Sequence, residues 1–327
     1  MIWVNGEMLP DEEARVSVAD RGLLYGDGLF ETMRVLLGQP VFLDEHLDRL
    51  LQGCQVLGIE WVDRGTFEYA VVVTIRANQM DEGAVRLTVT RGVGGTRLDT
   101  AGADKPTVIV SCHEYRPPQL GLGPSLSAIV SKVRVNPDSP TAGLKTLNRL
   151  DHILARREAK AVGADEALML NTRGELTCAT AANVFVVTED GFYTPPLSSG
   201  CLPGVTRGRL IHPPKLPALG REEPLPADEH GVEVSGRHRR WGEVESLLLT
   251  NSLLGVAVVA RVGDAEVATP EKRQATGEAC HLIWETMATL DATSAMLPET
   301  HSVSEVSTDA DDVQAGRRGH RGRRTRR

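Results

Sequence analysis

"GLKTLNRLD", residues 143–151, holds one lysine, Lys145, between a glycine and a mixed polar–apolar run. A lone lysine is ordinarily a solvated surface charge, so the stretches on either side decide its meaning. Downstream, "TLNRLDHILARREAKAVGA" (146–164) reads as a helix with Leu150, Ile153, Leu154 and the aliphatic stem of Arg157 along one side. "DEALMLNTRGELTCATAANVFVVTEDGFYTPP" (165–196) then runs strand, turn, strand, turn, strand. Upstream, "SLSAIVSKVRV" (125–135) is a further strand.

Nearer the N-terminus, "MIWVNGEMLP" (1–10) reads as two short strands about a turn at Asn5–Gly6. Residues 28–59 give strand, turn, strand and then a helix in which Leu47, Leu50, Leu51 and Cys54 recur at helical spacing. "GAVRLTVTRGVGG" (83–95) alternates as a strand into a glycine-rich loop, and "KPTVIVSCHEY" (105–115) is another strand. This mixture predicts an α+β fold with mainly antiparallel pairing. The Pro/Gly-rich stretch "RPPQLGLGP" (116–124) marks a connection between domains. The expected organisation is a small domain over 1–118, a linker at 119–122, a large domain over 123–285 and a disordered tail over 286–327. Irregular structure is expected for the proline-rich "HPPKLPALG" (212–220) and beyond about residue 285, where apolar periodicity fades.

Composition narrows the class. No apolar run approaches the roughly 20 residues that span a bilayer, and the first residues lack the basic-then-apolar order of a secretory signal. A cytoplasmic protein is expected. The five cysteines are scattered without a C-x-x-C pair, so no zinc site or disulfide framework is indicated. The net charge of −8 argues against nucleic-acid binding. The tail, acidic and Ser/Thr-rich and then arginine-rich, reads as solvated.

Several stretches suit an anion. Arg49 in "DEHLDRL" (44–50) offers a planar, bidentate guanidinium. "LPGVTRGRL" (202–210) puts Gly204, Val205 and Thr206 at the start of a predicted helix, where free N–H groups and a hydroxyl can meet a phosphate. "LLLTNSLLG" (247–255) ends a strand in the polar cluster Thr250, Asn251 and Ser252. Taken singly, each has an ordinary reading as a surface charge, a helix cap or a turn.

Their order along the chain, with Lys145 among them, resembles the class IV, fold-type IV pyridoxal-phosphate enzymes. That family includes branched-chain and D-amino-acid aminotransferases and 4-amino-4-deoxychorismate lyase. The resemblance runs from Met1 to about Val262 through "ADRGLLYGDGLFET", "DEHLDRL", "LKTLNRLD", "GADEALMLNTRGELT", "TAANVF", "YTPPL", "LPGVTR" and "LTNSLLG". It implies the two-domain fold of the D-amino-acid aminotransferases, pyridoxal 5'-phosphate as cofactor, and a homodimer. It further implies that Lys145 carries the cofactor as a Schiff base and that Arg49, Val205, Thr206 and Ser252 hold its phosphate. Lysine suits the role, because a desolvated amine is a nucleophile toward an aldehyde.

One position departs from the family. Five residues before Asn183, where these enzymes usually carry a glutamate for the protonated pyridine nitrogen, stands Cys178. A neutral thiol is a weak partner for a pyridinium, whereas a thiolate pairs with one. Glu175, an odd number of strand steps away, points to the other face unless a bulge intervenes.

The resemblance leaves the reaction open between lyase and aminotransferase. Thr32 in "GLFET", "MIWVNG" and the absence of an Arg-x-His pattern in "TRGVGGTRLDT" (90–100) favour 4-amino-4-deoxychorismate lyase, which forms 4-aminobenzoate and pyruvate. Arg97 in that loop is the expected partner of a substrate carboxylate, and Phe30 lines the pocket or the core. The alternatives are an aminotransferase for D- or branched-chain amino acids and a non-catalytic homologue. Cys178 and the atypical 212–220 segment favour the last.

Overall fold

The computed structural model describes residues 1–60, 63–94, 97–116, 126–213 and 220–295. In chain order the first elements are β1 (Ile2–Val4), β2 (Glu7–Leu9), α1 (Arg21–Tyr25), β3 (Gly28–Leu36), β4 (Gln39–Pro40) and α2 (Leu43–Leu57). They are followed by α3 (Arg64–Ala77), β5 (Gly83–Thr90) and β6 (Thr107–His113). The six strands form one antiparallel sheet in the order β2-β1-β6-β5-β3-β4. The helical spacing of Leu47, Leu50 and Cys54 buries one face of α2 with Met33 and Val85 of the sheet and with Phe67 and Val71 of α3. Every position of β3 is at least partly withdrawn from solvent.

The remaining elements are β7 (Leu126–Val135), α4 (Leu150–Ala161), β8 (Glu166–Asn171), β9 (Leu176–Ala179), β10 (Asn183–Thr188), β11 (Gly191–Thr194) and α5 (Val205–Ile211). After them come β12 (Gly220–Glu222), β13 (Gly231–Val234), β14 (Arg237–Arg240), β15 (Ser246–Asn251), β16 (Gly255–Val262), β17 (Ala265–Glu266) and α6 (Pro270–Ser294). A second sheet runs β12-β11-β10-β15-β16-β7-β8-β9, with β17 paired to β16. Its pairs are antiparallel except β11–β12, β16–β7 and β7–β8. The described residues of 1–295 thus carry two large sheets and a two-stranded one, β13-β14, an α+β architecture. No helix among the described residues is long and apolar enough to cross a membrane.

Three expectations are corrected here. α6 continues through Ser294, so the chain does not become irregular at 285. Cys280, Trp284, Ala288 and Ala292 recur every four residues and pack with Leu248 and Val256 of β15 and β16. Three of those four side chains are small, which is why the stripe is faint in the sequence. α4 forms, but Leu150, Ile153 and Leu154 are 65, 53 and 46% exposed, and Ala155 and Ala159 face the sheet instead. Small residues let the helix backbone approach the strands closely. Finally, the stretch 165–196 makes four strands, not three, because "TAANVF" turns back within five residues.

The linker 119–122, the tail from 296 onward and residues 214–219 lie outside the described residues. Past the last of these, β13 and β14 pair as a hairpin that sends Val232, Val234 and Trp241 into the core.

Candidate active site

The segment carrying Lys145 is stitched to the start of β3. The Phe30 N–H donates to the Lys145 carbonyl at 3.0 Å, and the Leu147 N–H donates to the Gly28 carbonyl at 3.0 Å. Backbone pairing of this kind fixes Lys145 beside Phe30, and the amine Nζ lies 4.5 Å from the Phe30 ring centroid. Both residues line a cavity of about 660 Å³, a size suited to a small ligand. Burial of the amine is the main cause that lowers the Lys145 pKa to about 7; Glu31 opposes this, and Arg49, Arg149 and Arg86 reinforce it. A lysine so placed is about half in its neutral, nucleophilic form near neutrality.

Of the nine site residues expected from sequence, eight meet in this cavity wall: Phe30, Thr32, Arg49, Lys145, Cys178, Val205, Thr206 and Ser252. Arg97 does not join them. Its side chain is exposed in the loop after β5, and its carbonyl accepts a bond from Arg21 Nη1 at 2.8 Å.

At one end of the cavity lies a set of donors around Arg49. Its Nε and Nη2 donate to Glu31 at 2.8 and 2.5 Å, and Nη1 donates to the Pro203 carbonyl at 2.9 Å. A guanidinium has five N–H donors, so two remain for a ligand. Glu31 is fully buried. Burial alone would raise its pKa, but the Arg49 charge and the His46 hydrogen bond bring it down to about 2. His46, also fully buried, sits between Glu31 (Nδ1, 2.7 Å) and Ser252 (Nε2, 3.1 Å).

The same cavity wall holds two buried hydroxyls, Thr206 Oγ1 and Thr250 Oγ1, with no hydrogen-bond partner among the described residues. Leaving such a group unpaired costs about 1–3 kcal/mol, which an oxyanion would relieve. The N–H groups of Val205 and Thr206 precede the first bond of α5, from Gly208 N–H to Gly204 O, and have no intrahelical acceptor. Gly204 itself is required, because a Cβ there would stand 2.1 Å from Asn183 Oδ1. Asn183 in turn ties the turn down through Nδ2 to the Leu202 carbonyl at 2.8 Å. Asn251 Oδ1 accepts from the N–H groups of Leu253 and Leu254, shaping the turn that presents Ser252. The residues fit a phosphate ester.

Elsewhere in the wall are Cys178, Arg149 and His152. Burial pushes the Cys178 thiol up to about 12 despite the nearby Arg149 charge, so it is the neutral thiol that faces the cavity. Burial, Arg149 and Lys145 push His152 down to about 3, leaving it a neutral imidazole. Glu175 is occupied by Asn171 Nδ2 at 2.7 Å and lies off the wall.

Glu31, His46, Arg86, Arg149 and His152 were not singled out from sequence as site residues, whereas Thr250 belongs to the polar cluster expected to suit an anion. Arg86 pairs in register with Thr32 across β3 and β5, and its guanidinium lies 3.8 Å from the Phe30 centroid. His46 and Arg49 are three residues apart on α2 and share a face. That spacing was the available signal.

The family model for Amino-transferase class IV matches residues 28–262. The chain belongs to the class IV aminotransferase family. As a class IV enzyme it depends on pyridoxal phosphate, whose phosphate suits the donors around Arg49 and whose aldehyde suits Lys145. The chain is 36% identical over 234 residues, 71% of its length and 76% of the relative's, to a protein provisionally named branched-chain-amino-acid aminotransferase in Methanocaldococcus jannaschii. It is 30% identical over 275 residues, 80% of its length and 86% of the relative's, to aminodeoxychorismate lyase of Bacillus subtilis. The crystal structure of 4-amino-4-deoxychorismate lyase from Pseudomonas aeruginosa superposes with a TM-score of 0.70 at 28% identity, over 88% of this chain and 98% of that one.

Proposed function

We propose that this class IV enzyme is a 4-amino-4-deoxychorismate lyase, releasing 4-aminobenzoate and pyruvate. The observation that carries the reading is Thr32. Phe30 and Thr32 are two steps apart on β3 and so share a face, and Thr32 lines the cavity with no hydrogen-bond partner for its hydroxyl among the described residues. That hydroxyl is available to a departing enolpyruvyl oxygen.

Pyridoxal phosphate, when bound, supplies an aldehyde for amine exchange and an electron-withdrawing ring. Arg49, Thr206, Thr250, Ser252 and the Val205 N–H hold its phosphate. The Lys145 amine, half-protonated near pH 7, removes the proton from the carbon that bears the substrate nitrogen. The Thr32 O–H donates to the leaving oxygen as the ring becomes aromatic. Arg86 and Arg149 form no ion pair among the described residues, and with Arg49 they give the cavity a positive field that acts on Lys145. Such a field suits a substrate with two carboxylates, and Arg149, in the cavity wall, is placed to anchor one of them.

The second reading, an aminotransferase for branched-chain or D-amino acids, is favoured by the 36% identity to the Methanocaldococcus protein. Absorbance spectra of the loaded protein, with release of 4-aminobenzoate followed on adding aminodeoxychorismate, separate the two. Product release supports the lyase. A spectrum that responds only to amino acids, with keto acid formed, replaces it with the aminotransferase.

The chain is further read as a cytoplasmic homodimer. The five cysteines are all free thiols, in keeping with a reducing compartment. The exposed Leu150, Ile153 and Leu154 of α4 form an apolar stripe suited to a second subunit.

A further inference from the structure

Arg49, Glu31, His46 and Ser252 make one continuous chain, and the directions of its hydrogen bonds can be assigned. Glu31 is ionised and only accepts, so the 2.7 Å contact to His46 Nδ1 needs its proton on that nitrogen. Arg49 Nη2 stands 3.4 Å from the same nitrogen, too far to compete. His46 is wholly buried, and burial together with Arg49 and Lys145 favours the neutral ring against the pull of Glu31. The neutral ring then has a bare Nε2, which can only accept. It follows that Ser252 donates its single hydroxyl proton to His46 across 3.1 Å and turns oxygen lone pairs toward the cavity.

That arrangement is wrong for a phosphate dianion, which also only accepts. Ser252 can donate to a phosphate only if His46 donates to Ser252, and this needs a second proton on the ring. We propose that His46 is a proton-coupled positioning residue. Occupation of the Arg49 end by a phosphate ester draws one proton from solvent onto His46 Nε2 and reverses the His46–Ser252 hydrogen bond. Glu31 then faces an imidazolium, and the added positive charge offsets part of the incoming dianion. This rests on the phosphate reading of the site.

The consequence is a pH-dependent hold on the cofactor that does not involve the Schiff-base chemistry of Lys145. With one proton taken up per ligand, affinity falls about tenfold for each pH unit above neutrality. A phosphate monoester has its second pKa near 6 and is already dianionic there.

The test uses 4-deoxypyridoxine 5'-phosphate, which lacks the aldehyde, in a Lys145→Met background that removes the other titrating amine. Calorimetry at pH 8.5 in buffers of different ionisation enthalpy counts the protons bound. One proton per ligand is expected, falling to near zero in His46→Gln, whose amide donates to Ser252 without titrating. Ser252→Ala, which leaves the buried ring in place, should also lose the uptake. Nitrogen-15 NMR of His46 should show an Nδ1–H neutral ring before binding and both nitrogens protonated after it. Binding without proton uptake, or uptake that persists in both variants, overturns the proposal alone. Failure of the ligand to bind, with Arg49→Ala making no difference, removes the phosphate reading and the proposal with it.

Discussion

The Lys145 amine rests 4.5 Å from the centre of the Phe30 ring, held there by backbone bonds between its own segment and the first residues of β3. The chemistry of one sheet is thereby set against the edge of the other, and the amine is kept in a desolvated place where its pKa falls to about 7.

The first prediction concerns that amine. The neutral form is the nucleophile, so reaction of the cofactor-free protein with pyridoxal phosphate should speed up as pH rises through about 7 and then level off. A free lysine would show the same rise more than three units higher. Lys145→Ala should show no imine absorbance at any pH and lose at least about 100-fold in turnover. Stopped-flow absorbance against pH checks both, and a surviving imine band in the variant removes Lys145 from its role.

Thr32 separates the two reactions. Thr32→Val keeps the shape of the side chain and removes the hydroxyl, so elimination of pyruvate should slow by about 100-fold while any transamination by the same protein is little changed. The two rates are measured side by side as 4-aminobenzoate and keto acid. Equal losses would place Thr32 in cofactor positioning and take away the main support for the lyase.

Cys178 is a neutral thiol beside a permanent cation, Arg149. A carboxylate there would be held ionised by Arg149 and would favour protonation of a ring nitrogen. In Cys178→Glu the nitrogen-15 shift of the bound cofactor's ring should move toward the protonated value, and turnover should rise. An unmoved shift means that the ring nitrogen does not meet this position.

Much of this site was legible in the sequence, for a physical reason. Lys145, Arg49, Val205, Thr206 and Ser252 sit in short motifs whose chemistry is local: an amine, a fork, a helix start, a turn. What stayed hidden depends on contacts between distant segments. Glu31 and His46 lie 15 residues apart, and Ser252 a further 206 from His46; each looks ordinary until the fold joins them. The exposed side of α4 shows the opposite failure. Leu150, Ile153 and Leu154 have the spacing of a core face, yet the sheet takes Ala155 and Ala159, because periodicity identifies a face and not the surface that covers it. Arg97 has the right chemistry for a carboxylate, but its loop carries it to solvent.

The last prediction tests the buried pair beneath the cavity. The Glu31 pKa falls from an ordinary value near 4.5 to about 2 in the fold. A carboxyl whose folded pKa is depressed contributes stability above its unfolded pKa and loses it as pH drops through the folded one. Its share is therefore complete above about pH 4.5 and fades between there and about pH 2. Glu31→Gln removes the charge and leaves Arg49 buried against a neutral amide, a loss on the order of 3–5 kcal/mol for breaking one partner of a buried pair. Urea denaturation of the two proteins should show that gap at pH 7 and a smaller one as the acid limit is approached. A gap that is small at neutral pH, or unchanged toward pH 3, would mean that solvent reaches the pair and that Arg49 is free to leave Glu31 for a ligand.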